Sequence, residues 1–146
     1  MLYQNELKSP PGGNSNNNNS RVGSRMVKAT AELTIEQLKK LATYRKECMA
    51  ETGVKEEVVR SASRGVIADD PKLNEHLLCV FKKAGFSDGA GQIQKEVIKQ
   101  KLTDVIRDAD LAESLVNSCV LQMETPQLTS LESYRCFYEK TNIPVV

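Results

Sequence analysis

Four cysteines, Cys48, Cys79, Cys119 and Cys136, constrain this chain more than any other feature. They stand far apart, with no Cys-x-x-Cys pair among them. A compact zinc site usually takes its ligands in close pairs, so the spacing argues against one, and equally against a thioredoxin-type redox motif. Each cysteine falls inside an amphipathic helical pattern. An even number of cysteines so placed reads as two disulfides stapling helices together in an oxidising compartment. Three connectivities are open, and spacing alone does not choose among them.

The helical signals run along most of the chain. Thr34 and Gln37 form a capping box, with Leu33 and Leu38 placed for a hydrophobic staple. Leu38, Leu41 and Tyr44 continue an apolar face at helical spacing, to about Glu51, and Gly53 supplies the left-handed stop. A short second helix is expected from Lys55 to Ser63, stopped by Gly65. Asp70 and Pro71 open a third, whose stripe is Leu73, Leu77, Val80, Phe81 and Ala84, with Gly85 as terminator. After a loop containing Gly89 and Gly91, a fourth helix carries Ile93, Val97, Ile98 and Leu102. Asp110 and Glu113 predict a capping box for a fifth, through Leu111, Leu115, Val116, Cys119 and Met123, broken by Thr125-Pro126. Thr129 and Glu132 predict the start of a sixth, with Leu131, Tyr134, Cys136, Phe137 and Tyr138 before Pro144. No segment of any length has strand periodicity. The fold class expected is therefore all-α, one domain of six helices too unequal for a regular four-helix bundle.

The first 25 residues read differently. Ser9-Pro10-Pro11-Gly12-Gly13 and the asparagine-rich run Asn14 to Ser20 cannot bury apolar surface. Residues 1–25 are expected to be a disordered tag or linker, a native tail being the other reading, and 26–146 to be the folded domain. No stretch there has the apolar core of a signal peptide, and none in the chain is long enough to span a membrane, so a soluble protein is expected. The whole chain has 20 Lys plus Arg and 19 Asp plus Glu. Three and one of these fall in the leader, leaving 17 against 18. The charges are interleaved, as on solvated helix faces, and no basic stripe suggests nucleic acid or an anionic membrane. Trp is absent and aromatics are few, which leaves aliphatic side chains to line any cavity.

Several local phrases accompany the cysteines: Glu51-Thr52-Gly53-Val54 after Cys48, Asp69-Asp70-Pro71, Lys82-Lys83-Ala84-Gly85-Phe86 after Cys79, and Cys136-Phe137. With them, residues 30 to 143 resemble the insect odorant-binding proteins, small secreted all-helical carriers of hydrophobic molecules. The usual family pattern has six cysteines, the second lying four residues before the third and the fifth nine before the sixth. On this chain those two positions are Glu75 and Gln127, so the chain resembles the four-cysteine subgroup often called Minus-C. Within it, the likeness is to beetle carriers of haemolymph and accessory gland.

The resemblance implies the pairs Cys48–Cys79 and Cys119–Cys136, helices splayed around an apolar cavity, and no cofactor or metal. It further implies a carrier of odorants, pheromones or related apolar molecules, in sensillum lymph, haemolymph or glandular fluid. A weak homodimer or an encounter with an olfactory receptor are the macromolecular partners left open; nucleic acid and membrane insertion are not expected. Candidate cavity residues come from the stripes: Leu38, Leu41, Tyr44, Val59, Ala62, Leu77, Val80, Phe81, Ile98, Leu102, Leu115, Val116, Tyr134, Phe137 and Tyr138. The resemblance points most firmly to Phe137. Tyr44, Tyr134 and Tyr138 each offer a hydroxyl to a ligand or point it outward. Such stripes equally suit a solid core, so a protein-interaction module without a cavity is the competing reading.

Catalysis has little support. His76 is the sole histidine and lies three residues before Cys79, but a nucleophile pair needs a free thiol. His76 is expected as an ordinary surface histidine. The acidic pairs Glu56-Glu57 and Asp69-Asp70 sit at helix starts, where dipole and capping account for them. Glu75 and Gln127 are expected to be separate, solvated side chains. Asn142 to Val146 is expected to be at most a short apolar flap across the cavity mouth.

Overall fold

The structure is a computed structural model that describes residues 33–145; the expected leader, residues 1–25, lies outside the described residues. Among those described are six helices: α1 (Ile35–Thr52), α2 (Glu56–Ala62), α3 (Pro71–Ala84), α4 (Lys95–Ile106), α5 (Ala109–Cys119) and α6 (Pro126–Thr141). The only bridge among the described residues is the isolated pair Ser87 and Ile93. The all-α expectation is met, and Ile93 joins that bridge instead of opening α4.

The helix ends follow from capping chemistry. Thr34 and Gln37 form the reciprocal box at α1, with Thr34 Oγ1 accepting from Gln37 N at 3.1 Å and Gln37 Oε1 accepting from Thr34 N at 2.8 Å. Asp70 accepts from Lys72 N at 2.9 Å and Pro71 fills the first turn of α3. Gly53 and Gly85 end α1 and α3 in the left-handed region, at φ 74° and 84°. Two starts differ from expectation. Asp108, not Asp110, caps α5, accepting from Leu111 N at 3.0 Å. Arg107 ends α4 at φ 65°, so the chain is already extended at residue 108 and the first available aspartate takes the cap. Thr125, not Thr129, caps α6 through Leu128 N at 3.1 Å, and Pro126 starts that helix at its first position, where a missing N–H is harmless. α5 consequently stops at Cys119, and Met123 lies in the connecting loop. Thr129 ties that loop down by accepting from Met123 N at 2.9 Å.

Packing is pairwise: α1 lies on α3, α4 on α5, and α6 against both α3 and α5. Disulfides secure two of these contacts. Cys48–Cys79 joins α1 to α3 with Cα atoms 5.7 Å apart, and Cys119–Cys136 joins α5 to α6 at 5.4 Å. The pairing is the one that the resemblance implies. Two apolar clusters result. The larger gathers Val54, Val59, Ala62, Leu73, Leu77, Phe81, Leu131 and Tyr134 between α2, α3 and α6. The smaller gathers Ile98, Val116 and Val120 between α4 and α5. Phe86 and Ile93 touch both.

Two polar residues depart from expectation. His76 is fully buried, not at the surface. Leu73, Leu77 and Val80 set the buried face of α3, and position 76 turns with that face toward α1. Glu75 and Gln127 are not separate: Gln127 Nε2 donates to Glu75 Oε2 at 3.0 Å. Because α6 begins at Pro126, Gln127 belongs to its first turn and is held beside α3 by the packing of those two helices.

Candidate binding cavity

A cavity of about 410 Å³ opens among α1, α3, α4, α6 and the C-terminal residues. From α1 come Gln37, Lys40, Leu41 and Tyr44, at spacings of three and four that place them on one face. From α3 and the turn after it come Phe81, Ala84 and Phe86; the two rings meet edge to face with centroids 5.4 Å apart. The α4 wall is Ile98, Gln100, Lys101, Leu102, Asp104 and Val105, and α6 adds Phe137 and Thr141. Leu33, Ile143 and Val145 complete the lining.

The C-terminal residues reach the cavity because α6 ends on Asn142 in the left-handed region, at φ 60°. That conformation turns the chain back over the helix end. Thr141 secures the turn by donating to Phe137 O at 2.8 Å and accepting from Ile143 N at 3.2 Å. Ile143 is thereby buried.

The structure divides the fifteen residues of the sequence stripes. Leu41, Tyr44, Phe81, Ile98, Leu102 and Phe137 come together around the cavity, Phe81 and Ile98 belonging to the packed clusters as well. Val59, Ala62, Leu77 and Tyr134 lie in the larger solid cluster and Val116 in the smaller one. Val80 and Leu115 are buried elsewhere, and Leu38 is 42% exposed. Tyr138 packs on the larger cluster, its ring against Gly65, where an added Cβ would come within 2.7 Å of it. The Tyr134 hydroxyl donates to Ala62 O at 2.6 Å, so it is neither outward nor offered to the cavity, and burial raises the pKa of that phenol. Among the three tyrosines, Tyr44 is the one whose side chain lines the space.

Sequence stripes miss the polar part of the lining. Gln37, Lys40, Gln100, Lys101 and Asp104 carry no apolar signal, and only the mutual placement of α1 and α4 brings them to one opening. Val105 was accessible, standing three residues beyond Leu102 on the same face.

His76 is not among the lining residues. Neither of its ring nitrogens has a hydrogen-bond partner in good geometry. Burial lowers its pKa from 6.5 to about 4, the charge of Arg45 adds to the fall, and the Cys48 backbone opposes it.

The signature of the PBP/GOBP family matches residues 30–140. The chain belongs to the PBP/GOBP family. Its two disulfides and four cysteines fit the Minus-C subgroup of the odorant-binding proteins. Among family relatives, the B1 protein of Tenebrio molitor is 36% identical over 111 residues, 76% of this chain and 85% of that protein. The THP12 carrier protein of the yellow meal worm has a solved structure that is 36% identical, with a TM-score of 0.54, covering 63% of this chain and 85% of that one. Odorant binding protein 4 of Chrysopa pallens superposes with a TM-score of 0.62 at 17% identity, over 76% of this chain and 95% of that one, which speaks to the fold.

Proposed function

We propose that this chain is a secreted carrier, not an enzyme, that holds a small apolar molecule in the cavity between α1, α3, α4 and α6. One observation carries the reading. The inner walls are Leu41, Phe81, Ile98, Leu102 and Phe137 around about 410 Å³, within the ~300–1,000 Å³ common to small-molecule sites. A solid-core interaction module would leave no such space. The carrier name of the THP12 relative supports the same reading, and two disulfides suit an oxidising extracellular fluid, whether sensillum lymph, haemolymph or glandular secretion. Burial of the ligand's apolar surface, at ~25 cal/mol per Å², supplies most of the affinity. Selectivity is accordingly broad, and dissociation constants near ~1 μM are expected.

Displacement of N-phenyl-1-naphthylamine fluorescence tests the proposal. Phe137→Asp places a carboxylate in the apolar wall and should weaken probe binding at least tenfold, with helical circular dichroism retained. Unchanged probe binding in that variant would remove the cavity from consideration.

A further inference from the structure

The charged groups around the cavity are distributed unevenly. α3, α6 and the C-terminal residues bring to it Phe81, Ala84, Phe137, Thr141, Ile143 and Val145, none of them charged. Every charged lining group comes from α1 or α4: Lys40 from the first, Lys101 and Asp104 from the second. These two helices border the same space without forming a packed pair of their own. All three charged side chains are solvent-exposed, so they stand at the mouth and the apolar walls lie behind them. The rim is rich in donors. Gln37 Oε1 is already engaged by Thr34 N, which leaves its NH₂ group for other partners. Gln100 adds a second amide beside Lys101.

We propose, resting on the carrier reading above, that the ligand is an amphiphile with a carboxylate head. Its chain lies against Phe81, Ile98 and Phe137, and its head is bracketed at the mouth by Lys40 of α1 and Lys101 of α4. A single negative charge matches this rim, because Asp104 offsets one of the two ammonium groups. A doubly charged phosphate head would meet that carboxylate at greater cost. The volume bears on the tail. At roughly 30 Å³ per small liquid unit, the size of a water's share, about a dozen heavy atoms fill the cavity, which corresponds to a medium-length fatty acid. A charge-assisted hydrogen bond at a half-wet rim is worth on the order of tenfold in affinity.

The experiment compares decanoate, 1-decanol and methyl decanoate as displacers of the bound fluorescent probe at neutral pH. Decanoate should bind about tenfold tighter than decanol at low salt, and the advantage should shrink at high ionic strength. In the Lys40→Gln/Lys101→Gln double variant, which alters exposed positions, the ratio of the two affinities should collapse to about one. Asp104→Asn should raise the ratio. Equal or tighter binding of decanol to the unaltered protein would overturn the head-group inference and leave the apolar cavity standing. A decanoate preference that persists in the double variant would overturn the role of the lysines. If all three compounds fail to displace the probe, both readings fall.

Discussion

Gln127 donates to Glu75 at 3.0 Å, so one hydrogen bond joins α6 to α3 at the two positions where six-cysteine relatives carry cysteines. The contact closes 52 residues of chain non-covalently. It is exposed, so water competes for both partners, and a charge-assisted bond of this kind contributes at most ~1 kcal/mol. Gln127→Ala should therefore lower the urea unfolding free energy only slightly. The Glu75→Cys/Gln127→Cys pair should form a third disulfide and stabilise the fold by ~2–4 kcal/mol, mainly by restricting the unfolded chain. Unfolding curves in urea, with and without reductant, check both values.

His76 makes stability depend on pH in a defined direction. Its folded pKa of about 4 lies below the ordinary 6.5. Between those values the unfolded chain takes up a proton that the folded chain refuses, so stability falls as the pH drops from 6.5 toward 4. Below about 4 both states are protonated and the loss is complete, at roughly 3 kcal/mol. His76→Leu should flatten this dependence in urea titrations between pH 7 and pH 4. Because His76 lies outside the cavity lining, ligand affinity should change only modestly between pH 7 and pH 5 as long as the protein stays folded. A hundredfold loss that disappears in His76→Ala would refute this.

Tyr134 offers a cleaner measure of a single buried bond. Its hydroxyl reaches Ala62 O at 2.6 Å across 72 residues of sequence, fixing α6 to the end of α2. Tyr134→Phe keeps the ring and removes one of two donors to that carbonyl, which still accepts from Gly65 N at 3.0 Å, so the loss should cost about 0.5–1.5 kcal/mol in unfolding free energy. Displacement of the fluorescent probe should be unaffected, since Tyr134 packs in the solid cluster.

How far the sequence disclosed all this varies with the physics at each position. Caps such as Thr34, Asp70 and Gly85 are local, so the helices they delimit were readable to within a residue. Where two capping residues competed, as Asp108 with Asp110 and Thr125 with Thr129, the choice rested on where the preceding segment ended, which is not local. Apolar periodicity identified buried faces but could not separate cavity from core. Phe81 and Leu77 lie on one stripe of α3 and share the larger cluster, yet only Phe81 also lines the cavity. Only the splay between α1 and α4 decides that. The same holds for Lys40 and Lys101, which line one cavity although 61 positions separate them.

The C-terminal residues should govern exchange of the ligand. Ile143 and Val145 cover one side of the cavity, and the turn that places them depends on Asn142 and on the hydroxyl of Thr141. Their grip is modest: a few buried aliphatic groups, each contributing about 0.8 kcal/mol per CH₂. Replacing Ile143 and Val145 together by Ser should remove on the order of 2 kcal/mol of that closure. Stopped-flow displacement should then show probe release accelerated by about tenfold or more, with association changed little. Helical circular dichroism should remain intact, because α6 ends before these residues. Release at an unaltered rate would mean that ligands leave between α1 and α4 without displacing the C-terminal residues.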